Sequence, residues 1–325
     1  RETFEAEVEV SHFGAIDLSD AAARWSIRRG TTVLQSGSLP ASNVPTGTLR
    51  RLGRVEFSLA DQTEPAELTL QLSIDHGQQQ TSNQWSFWTY PDQIDLSPPE
   101  DILVVKTLGD KAADHLDQGG KVVLLADPGS VDSDVQIGFS SVFWNTAWTG
   151  GQAPHTLGIL CDPNHAAFST FPTDYHSDWQ WWSIVSQSKP IVMDALPPGL
   201  RPIVQVVPDW FRPQRLGLVF EAQVGQGKLL VCSVNLEDDL ETRPAARQLR
   251  HGLLRYVADD RFEPSHSVSM DDIRSLFREP TKMQKIGARA HAADSHPSHV
   301  AANAIDGNPK TIWHTQWEPS IASMP

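Results

Sequence analysis

Apolar and polar residues alternate over most of the first ninety residues of the chain. Near the start, Phe4, Ala6 and Val8 are each followed by a glutamate, which is the pattern of a β-strand with one buried face. The same kind of alternation returns in further short segments at residues 24–27, 55–59, 67–74 and 83–90. Turn-forming residues separate these segments at intervals of roughly ten residues, a spacing that predicts an all-β sandwich over residues 1–92.

The pattern changes after a proline-containing linker at residues 93–99. Residues 102–105 and 121–125 are almost entirely apolar and flank a short helical stretch, which predicts a βαβ unit with buried parallel strands. Further apolar runs follow at residues 156–160, 203–207, 216–224 and 228–234. Because the stretch 203–234 is too short for crossover helices, we expect part of this sheet to be antiparallel.

A helix is predicted near the end of this region, at residues 243–258. Leu249, Leu253 and Val257 share one of its faces, and most of its arginines lie on the other. The chain is therefore predicted to be multidomain. The predicted parts are an immunoglobulin-like sandwich at 1–92, a linker at 93–99, an α/β domain at 100–262, a second linker at 263–285 and a last segment at 286–325.

Composition narrows the classes of partner. The formal net charge is −14, and so acidic a surface repels phosphate backbones, which makes nucleic acid an unexpected partner. No apolar run reaches the length of about 18 residues that a membrane helix needs, so no membrane span is expected. Cys161 and Cys232 lie in apolar surroundings and are expected to be buried free thiols. The chain holds 11 Trp against 3 Tyr, and tryptophan serves both cores and sugar-binding surfaces. Trp25, Trp85 and Trp88 are expected to serve the core of the first sandwich.

Aromatic and titratable residues are densest at residues 171–182. On an extended chain, Asp174, His176 and Asp178 would share one face, an arrangement that could bind a metal ion or relay a proton. The same stretch carries Trp179, Trp181 and Trp182. Three interpretations stay open for it: a hydrogen-bonded loop held by tryptophan packing, a carbohydrate or interface contact, and a metal site.

A hydrolase or an amidotransferase in the α/β region would require a nucleophile on a sharp turn between a strand and a helix. Ser130 lacks flanking glycines, Cys161 is followed closely by Pro163, and Cys232 lies within a predicted strand. We therefore predict no catalytic residue here. An enzyme would instead need a nucleophile on an exposed turn, within hydrogen-bonding reach of His155, His165 or His176.

The last segment carries a tight turn with oxygen ligands. Asp306, Asn308 and Thr311 could give Ca²⁺ part of an oxygen shell, and a bare turn is the alternative.

This turn belongs to the sequence ANAIDGNPKTIWHTQW, which closely resembles the opening of a discoidin-like domain, the factor V/VIII C-type fold of family 32 carbohydrate-binding modules. The matching positions are Ala304, Asp306, Gly307, Asn308, Thr311, Trp313, His314 and Thr315. The resemblance implies a truncated β-sandwich at 286–325, with a structural Ca²⁺ near the turn and Trp313 in the core. The sugar-contacting loops of that family would lie mostly beyond residue 325.

Other stretches resemble the region after the catalytic barrel in large bacterial glycoside hydrolases of family 2, often labelled β-galactosidase or sugar-binding-domain proteins. They include FPTDYHSDWQWWSIV, LPPGLRPIVQVVPDW, RLGLVFEAQVGQGKLLVCSVNL and ARQLRHGLLRYV. The opening EVEVSHFGAIDLSDAAARWSI resembles the immunoglobulin-like module that precedes this region in the same proteins. In that family the α/β part is glutamine-amidotransferase-like but lacks the nucleophile.

The resemblance implies a non-catalytic accessory region of an extracellular or periplasmic enzyme of polysaccharide degradation. Its expected partners are carbohydrate and the upstream catalytic domain of the same polypeptide, which would hold the catalytic glutamates. The chain is accordingly expected to be part of a longer protein. Two alternatives remain: a hydrolase or amidotransferase-like enzyme in its own right, and a purely adhesive glycan-binding protein.

Overall fold

The computed structural model describes residues 2–76, 79–139, 156–279, 281–296, 299–309 and 311–316. The chain divides into two compact units. The first comprises Arg1–Ser97, Pro163–Trp182 and Asp239–Arg255. The second comprises Pro98–Asp162, Ser183–Asp238 and Tyr256–Pro325. The domain limits drawn from the sequence stay predictions.

The first unit contains antiparallel strands that form a sandwich. Its strands are β1 (Thr3–His12), β2 (Leu18–Arg29), β3 (Thr32–Ser38), β4 (Ser42–Val44), β5 (Thr48–Ser58), β6 (Ala66–His76) and β7 (Gln79–Thr89). Strand β1 pairs with β5 in one sheet, and the other sheet has the order β3–β2–β6–β7, with β4 beside β2. Both sheets contribute to a shared apolar core.

The predicted alternation is confirmed where it was strongest. Every second residue of β6 from Ala66 to Ile74 is buried, and β1 alternates between exposed and more buried positions. Strands β3 and β4 were not predicted, and most residues of β3 are exposed, so that strand has no apolar face for a pattern to reveal. Trp85 was expected to serve the sandwich core, but it is 50% exposed because β7 lies at the edge of its sheet.

The second unit is built on a mixed sheet. Its strands are β8 (Ile102–Val105), β9 (Lys121–Leu125), β10 (Thr156–Cys161), β11 (Ile191–Val192), β12 (Val204–Pro208), β13 (Leu216–Val224) and β14 (Gly227–Cys232). The order is β10–β12–β13–β14–β9–β8, and β11 pairs with β13. The α-helices among the described residues are α1 (Asp110–Asp117), α2 (Trp181–Val185), α3 (Pro244–Ala258), α4 (Met270–Arg274) and α5 (Lys282–Lys285).

The expected mixture of strand directions is confirmed. Strand β9 pairs in parallel with β8 on one side and with β14 on the other, and α1 connects β8 to β9. The pairs β10–β12, β12–β13 and β13–β14 are antiparallel. The sequence Gly225-Gln226-Gly227 forms the hairpin turn between β13 and β14, and Gly225 has a φ of 60°. A Cβ at Gly227 would lie 2.7 Å from backbone atoms of Leu116, so glycine permits the close approach of α1.

The core of the second unit lies on one face of this sheet. Side chains from α1, β9, β13, β14 and α4 meet there, including Leu116, Leu124, Phe220, Leu229 and Ile273. Val123 and Leu230 alternate with these positions along their strands and are equally buried. Burial on both faces explains why the strands are continuous apolar runs rather than alternating ones.

Between residues 281 and 316, the described residues form α5 and a 3₁₀-helix at Ala301–Ala304, but no strand. The β-sandwich strands expected for 286–325 are therefore not formed in the described part of this segment. Trp313 is accordingly not a core residue: it is 38% exposed, and its indole N–H donates to Ser295 Oγ at 2.9 Å. A segment this short has too few residues to enclose such a ring.

None of the described helices is long and apolar enough to cross a membrane.

The sandwich core generates a stability prediction. Leu68 is fully buried on β6, whereas Leu49 on β5 is exposed. Replacing Leu68→Ala is expected to lower the free energy of unfolding by about 2–5 kcal/mol, because it removes buried methyl groups and leaves a cavity. Leu49→Ala is expected to change it by less than about 0.5 kcal/mol. Urea unfolding followed by circular dichroism measures both, and equal effects of the two substitutions would contradict this core assignment.

Candidate functional site

Residues 171–182, here called the aromatic loop, lie in the first unit. The base of this loop contains a buried cluster of aromatic rings. Phe171 and Trp181 are fully buried, with ring centroids 5.4 Å apart and planes at 74°. Phe168 packs edge-on against Trp181 at 6.3 Å, and Tyr90 stacks on Phe171 at 6.4 Å. These contacts fix the base of the loop against the end of the sandwich.

Helix α3 holds the same region through polar contacts. The Gln248 side chain donates to the Thr170 carbonyl oxygen at 2.8 Å, and the Arg247 guanidinium donates to the Pro91 carbonyl oxygen at 3.0 Å. A Cβ at Gly252 would lie 3.2 Å from the Ala167 carbonyl oxygen, so the small residue lets the helix approach closely. The loop is therefore anchored by both apolar and polar contacts within its unit.

Asp178 organises the polar side of the loop. Its Oδ2 accepts from the Asp174 backbone N–H at 3.3 Å and from Gln180 Nε2 at 2.9 Å, and its Oδ1 accepts from the Gln180 backbone N–H at 3.1 Å. Thr173 Oγ1 also donates to Oδ2 at 3.3 Å and accepts from Trp181 Nε1 at 2.8 Å. Burial raises the pKa of the Asp178 carboxyl, and these hydrogen bonds oppose the rise.

Asp178 Oδ2 accepts from the N–H of Asp174, four residues earlier, so this stretch is bent and not extended as the shared-face prediction assumed. Among the described residues, the groups of three or more His, Cys, Asp or Glu whose ligand atoms lie within 4.8 Å of one another do not include this trio. Asp178 instead faces a buried network in which the Tyr90 hydroxyl donates to Gln180 Oε1. The geometry thus gives Asp178 a positioning role in the loop.

Large aromatic side chains on the same loop point into solvent. Trp179 is 81% exposed, Tyr175 63% and Trp182 57%. Tyr175 also packs edge-on against His176, with ring centroids 4.6 Å apart. Because large exposed apolar side chains are common at binding surfaces, this loop is the candidate binding surface of the first unit. The structure therefore separates the three predicted tryptophans into one that anchors the loop and two that are exposed.

The candidate nucleophiles of the second unit occupy unfavourable surroundings. Cys232 is fully buried in β14, and burial raises the pKa of its thiol to about 12, which disfavours the reactive thiolate. Ser130 lies in a 3₁₀-helix after β9, where its hydroxyl donates to the Asp127 carbonyl oxygen at 2.7 Å. His165 caps another 3₁₀-helix by accepting from the Ala167 N–H, and His155 lies outside the described residues.

Ser130 does line a cavity of about 790 Å³ in the second unit. The cavity lies beyond the carboxyl ends of β8 and β9, the position at which open α/β sheets bind ligands. Its charged lining residues are Lys106, Asp127, Asp271, Arg274, Arg278, Glu279, Lys285 and Asp306. Among the described lining residues there is no histidine, so no imidazole base accompanies the Ser130 hydroxyl.

The predicted calcium ligands are gathered by a turn. Asp306 Oδ1 accepts from the Asn308 N–H at 2.8 Å, and Thr311 Oγ1 lies 2.7 Å from Asp306 Oδ2 and 2.9 Å from the Asn308 carbonyl oxygen. Gly307 has a φ of 73°, which closes the turn. These short contacts are hydrogen bonds that close the turn, and the three residues could supply part of the six to eight oxygens that Ca²⁺ takes.

Sequence reasoning missed a cluster of histidines in the second unit. His296, His299 and His314 each offer a ring nitrogen, and these nitrogens lie within 4.8 Å of one another. Burial and the neighbouring His314 and His296 rings lower the pKa of His299. The sequence shows that His296 and His299 are three residues apart, which could have indicated a metal site. His314 is distant from them in sequence and belongs to the discoidin-like pattern.

Comparisons with known proteins give matches to two family models. One is described as "Domain of unknown function (DUF8487)" and matches residues 103–278, and the other as "Domain of unknown function (DUF8488)" and matches residues 2–91. No curated protein matches the chain. Among solved structures, the chain is similar to the crystal structure of Parabacteroides merdae beta-glucuronidase, at 14% identity and a TM-score of 0.21. That match covers 38% of this chain and 19% of the enzyme, a likeness too slight to carry an argument about fold or function.

The two tryptophans at 179 and 181 generate the prediction for this loop. Trp181→Ala is expected to lower the free energy of unfolding by about 3–5 kcal/mol, because it removes the ring that anchors the loop. Trp179→Ala is expected to change it by less than about 0.5 kcal/mol, since that ring lies in solvent. Thermal unfolding followed by far-UV circular dichroism compares them, and a larger loss for Trp179→Ala would show that the assigned burial is wrong.

Proposed function

This chain belongs to the family described as domain of unknown function DUF8487, whose model spans residues 103–278. We propose that it is a non-catalytic, carbohydrate-binding accessory region of a glycoside hydrolase. The proposal rests on one observation above the others. Tyr175, Trp179 and Trp182 are exposed on a loop whose base is fixed by buried Trp181 and Asp178.

The chemistry of carbohydrate recognition supports this proposal. Sugar rings present apolar C–H faces as well as hydroxyls, and flat aromatic side chains cover such faces over a large area. A loop already held in place loses little conformational entropy on binding, so more of the contact energy contributes to affinity. Asp174 and His176 lie beside these rings and provide polar groups for sugar hydroxyls.

The wider setting is proposed from the sequence resemblance to glycoside hydrolases of family 2. The parent enzyme would be extracellular or periplasmic and would cleave glycosidic bonds with a pair of carboxylates in its upstream catalytic domain. The chain would brace that domain and hold polysaccharide near it. The rival proposal of an independent enzyme has the cavity beside β8 and β9 in its favour, but the raised thiol pKa of buried Cys232 is unfavourable to it.

Carbohydrate binding can be tested by affinity gel electrophoresis against a panel of soluble plant, algal and bacterial polysaccharides. We expect retardation by at least one of them, and a loss of about tenfold or more in affinity for Trp179→Ala or Trp182→Ala, which corresponds to about 1.4 kcal/mol for a stacked ring.

Trp85→Ala is the matched control, because Trp85 is also exposed in the first unit but lies on the edge strand β7. Migration unaffected by every polysaccharide, or equal losses for Trp85→Ala and Trp179→Ala, would contradict a sugar-binding role for the aromatic loop.

We also propose that Asp306, Asn308 and Thr311 contribute to a Ca²⁺ site. At a Ca²⁺ concentration 100 times the dissociation constant, binding is expected to stabilise the folded chain by about 2.7 kcal/mol, measurable as a rise in the unfolding temperature. Asp306→Asn is expected to abolish the rise because it removes the only carboxylate of the set, whereas Asp260→Asn on the exposed surface should preserve it. A rise retained by Asp306→Asn would disprove this assignment.

A further inference from the structure

We propose that His296, His299 and His314, here called the histidine cluster, bind a divalent transition metal ion of the Zn²⁺ class. All three side chains are half-buried, and their ring nitrogens lie within 4.8 Å of one another. Neither the sequence resemblance nor the family matches assign a site to these residues together.

The spacing of the rings fits a shared ion. Their centroids are 5.5 Å apart for His296 and His299, 5.0 Å for His296 and His314, and 4.3 Å for His299 and His314. Zn²⁺ lies about 2.0–2.1 Å from a ligating nitrogen, so imidazoles in a tetrahedral site have centroids about 5 Å apart. Small rotations of the side chains would therefore bring the three nitrogens onto one ion.

The backbone holds the cluster together without a metal. The His296 N–H donates to the His314 carbonyl oxygen at 3.0 Å, the His314 N–H to the His299 carbonyl oxygen at 3.4 Å, and the His299 N–H to the His296 carbonyl oxygen at 2.8 Å. The three residues are thus joined in a closed ring of main-chain hydrogen bonds. Such an arrangement reduces the entropy lost when the side chains converge on a ligand.

Further hydrogen bonds set the orientation of two of the rings. His314 Nδ1 lies 2.9 Å from the Thr315 carbonyl oxygen, and because a carbonyl can only accept, Nδ1 carries the proton and Nε2 the lone pair. The backbone of Ile312 hydrogen-bonds the His299 ring. Metal-ligating histidines usually donate their other ring N–H to a carbonyl or carboxylate in this way.

The donor set indicates which ions fit. Three neutral nitrogens suit Zn²⁺, Ni²⁺ or Cu²⁺, whereas Ca²⁺ and Mg²⁺ require oxygen ligands. Three protein ligands leave a fourth tetrahedral position for water or for a donor from another molecule. The bound ion would also cross-link residues 296–299 to residue 314 in a segment whose described residues form no strand, so binding should stabilise this segment.

The test uses the purified chain without a histidine tag, stripped with a chelator and titrated with Zn²⁺ by calorimetry. We expect one ion per chain with a dissociation constant of about 1 μM or tighter. Co²⁺ should give the intense visible absorption of a tetrahedral site. His299→Ala and His314→Ala should each weaken binding by about 100-fold or more, since even the loss of an outer hydrogen bond costs 10–100-fold.

Two further variants make the result decisive. His299→Cys keeps a ligand that Zn²⁺ prefers and should restore most of the affinity and shift the Co²⁺ spectrum, which a purely structural effect would not do. His291→Ala removes an exposed histidine to which no role is assigned and should leave binding unchanged. Absence of Zn²⁺ binding, or binding that survives both His299→Ala and His314→Ala, would overturn the proposal.

Discussion

Burial of Trp181 is the contact on which the aromatic loop depends. Its ring packs against Phe168 and Phe171, and its indole N–H donates to Thr173, so one side chain serves both the apolar and the polar parts of the loop. Successive residues of a helix point about 100° apart, and α2 begins at Trp181. With Trp181 turned inward, Trp182 is directed to solvent.

The carboxylate of Asp178 complements this apolar anchor. Asp178 is half-buried, and removing a carboxylate from water is costly unless it is hydrogen-bonded. This one accepts from the side chains of Thr173 and Gln180 and from backbone N–H groups. The cost of burying it appears as the raised pKa of its carboxyl group. These hydrogen bonds hold the base of the loop, while Tyr175, Trp179 and Trp182 stay exposed.

Local sequence patterns identified many elements of the fold. Alternation located β1 and β6, continuous apolar runs located β8 and β9, and one apolar face located α3, because each pattern reflects burial within a single element. Strand β3 was missed because nearly all its residues are exposed, and Trp85 was misplaced because alternation does not show that β7 lies at a sheet edge. The candidate site could be predicted only in part. The sequence identified the aromatic residues of the loop, but it did not show which of them are exposed and which are buried.

The sequence by itself determined the periodicities of the strands and helices, the acidic charge and the concentration of aromatic residues at 171–182. It did not distinguish Trp179 from Trp181, because neighbouring identical residues differ only in what the fold places around them. It also did not bring His314 to His296 and His299, since residues far apart in sequence meet only through long-range packing. Tertiary structure decided both, because burial and the convergence of side chains depend on contacts between segments that no local pattern records.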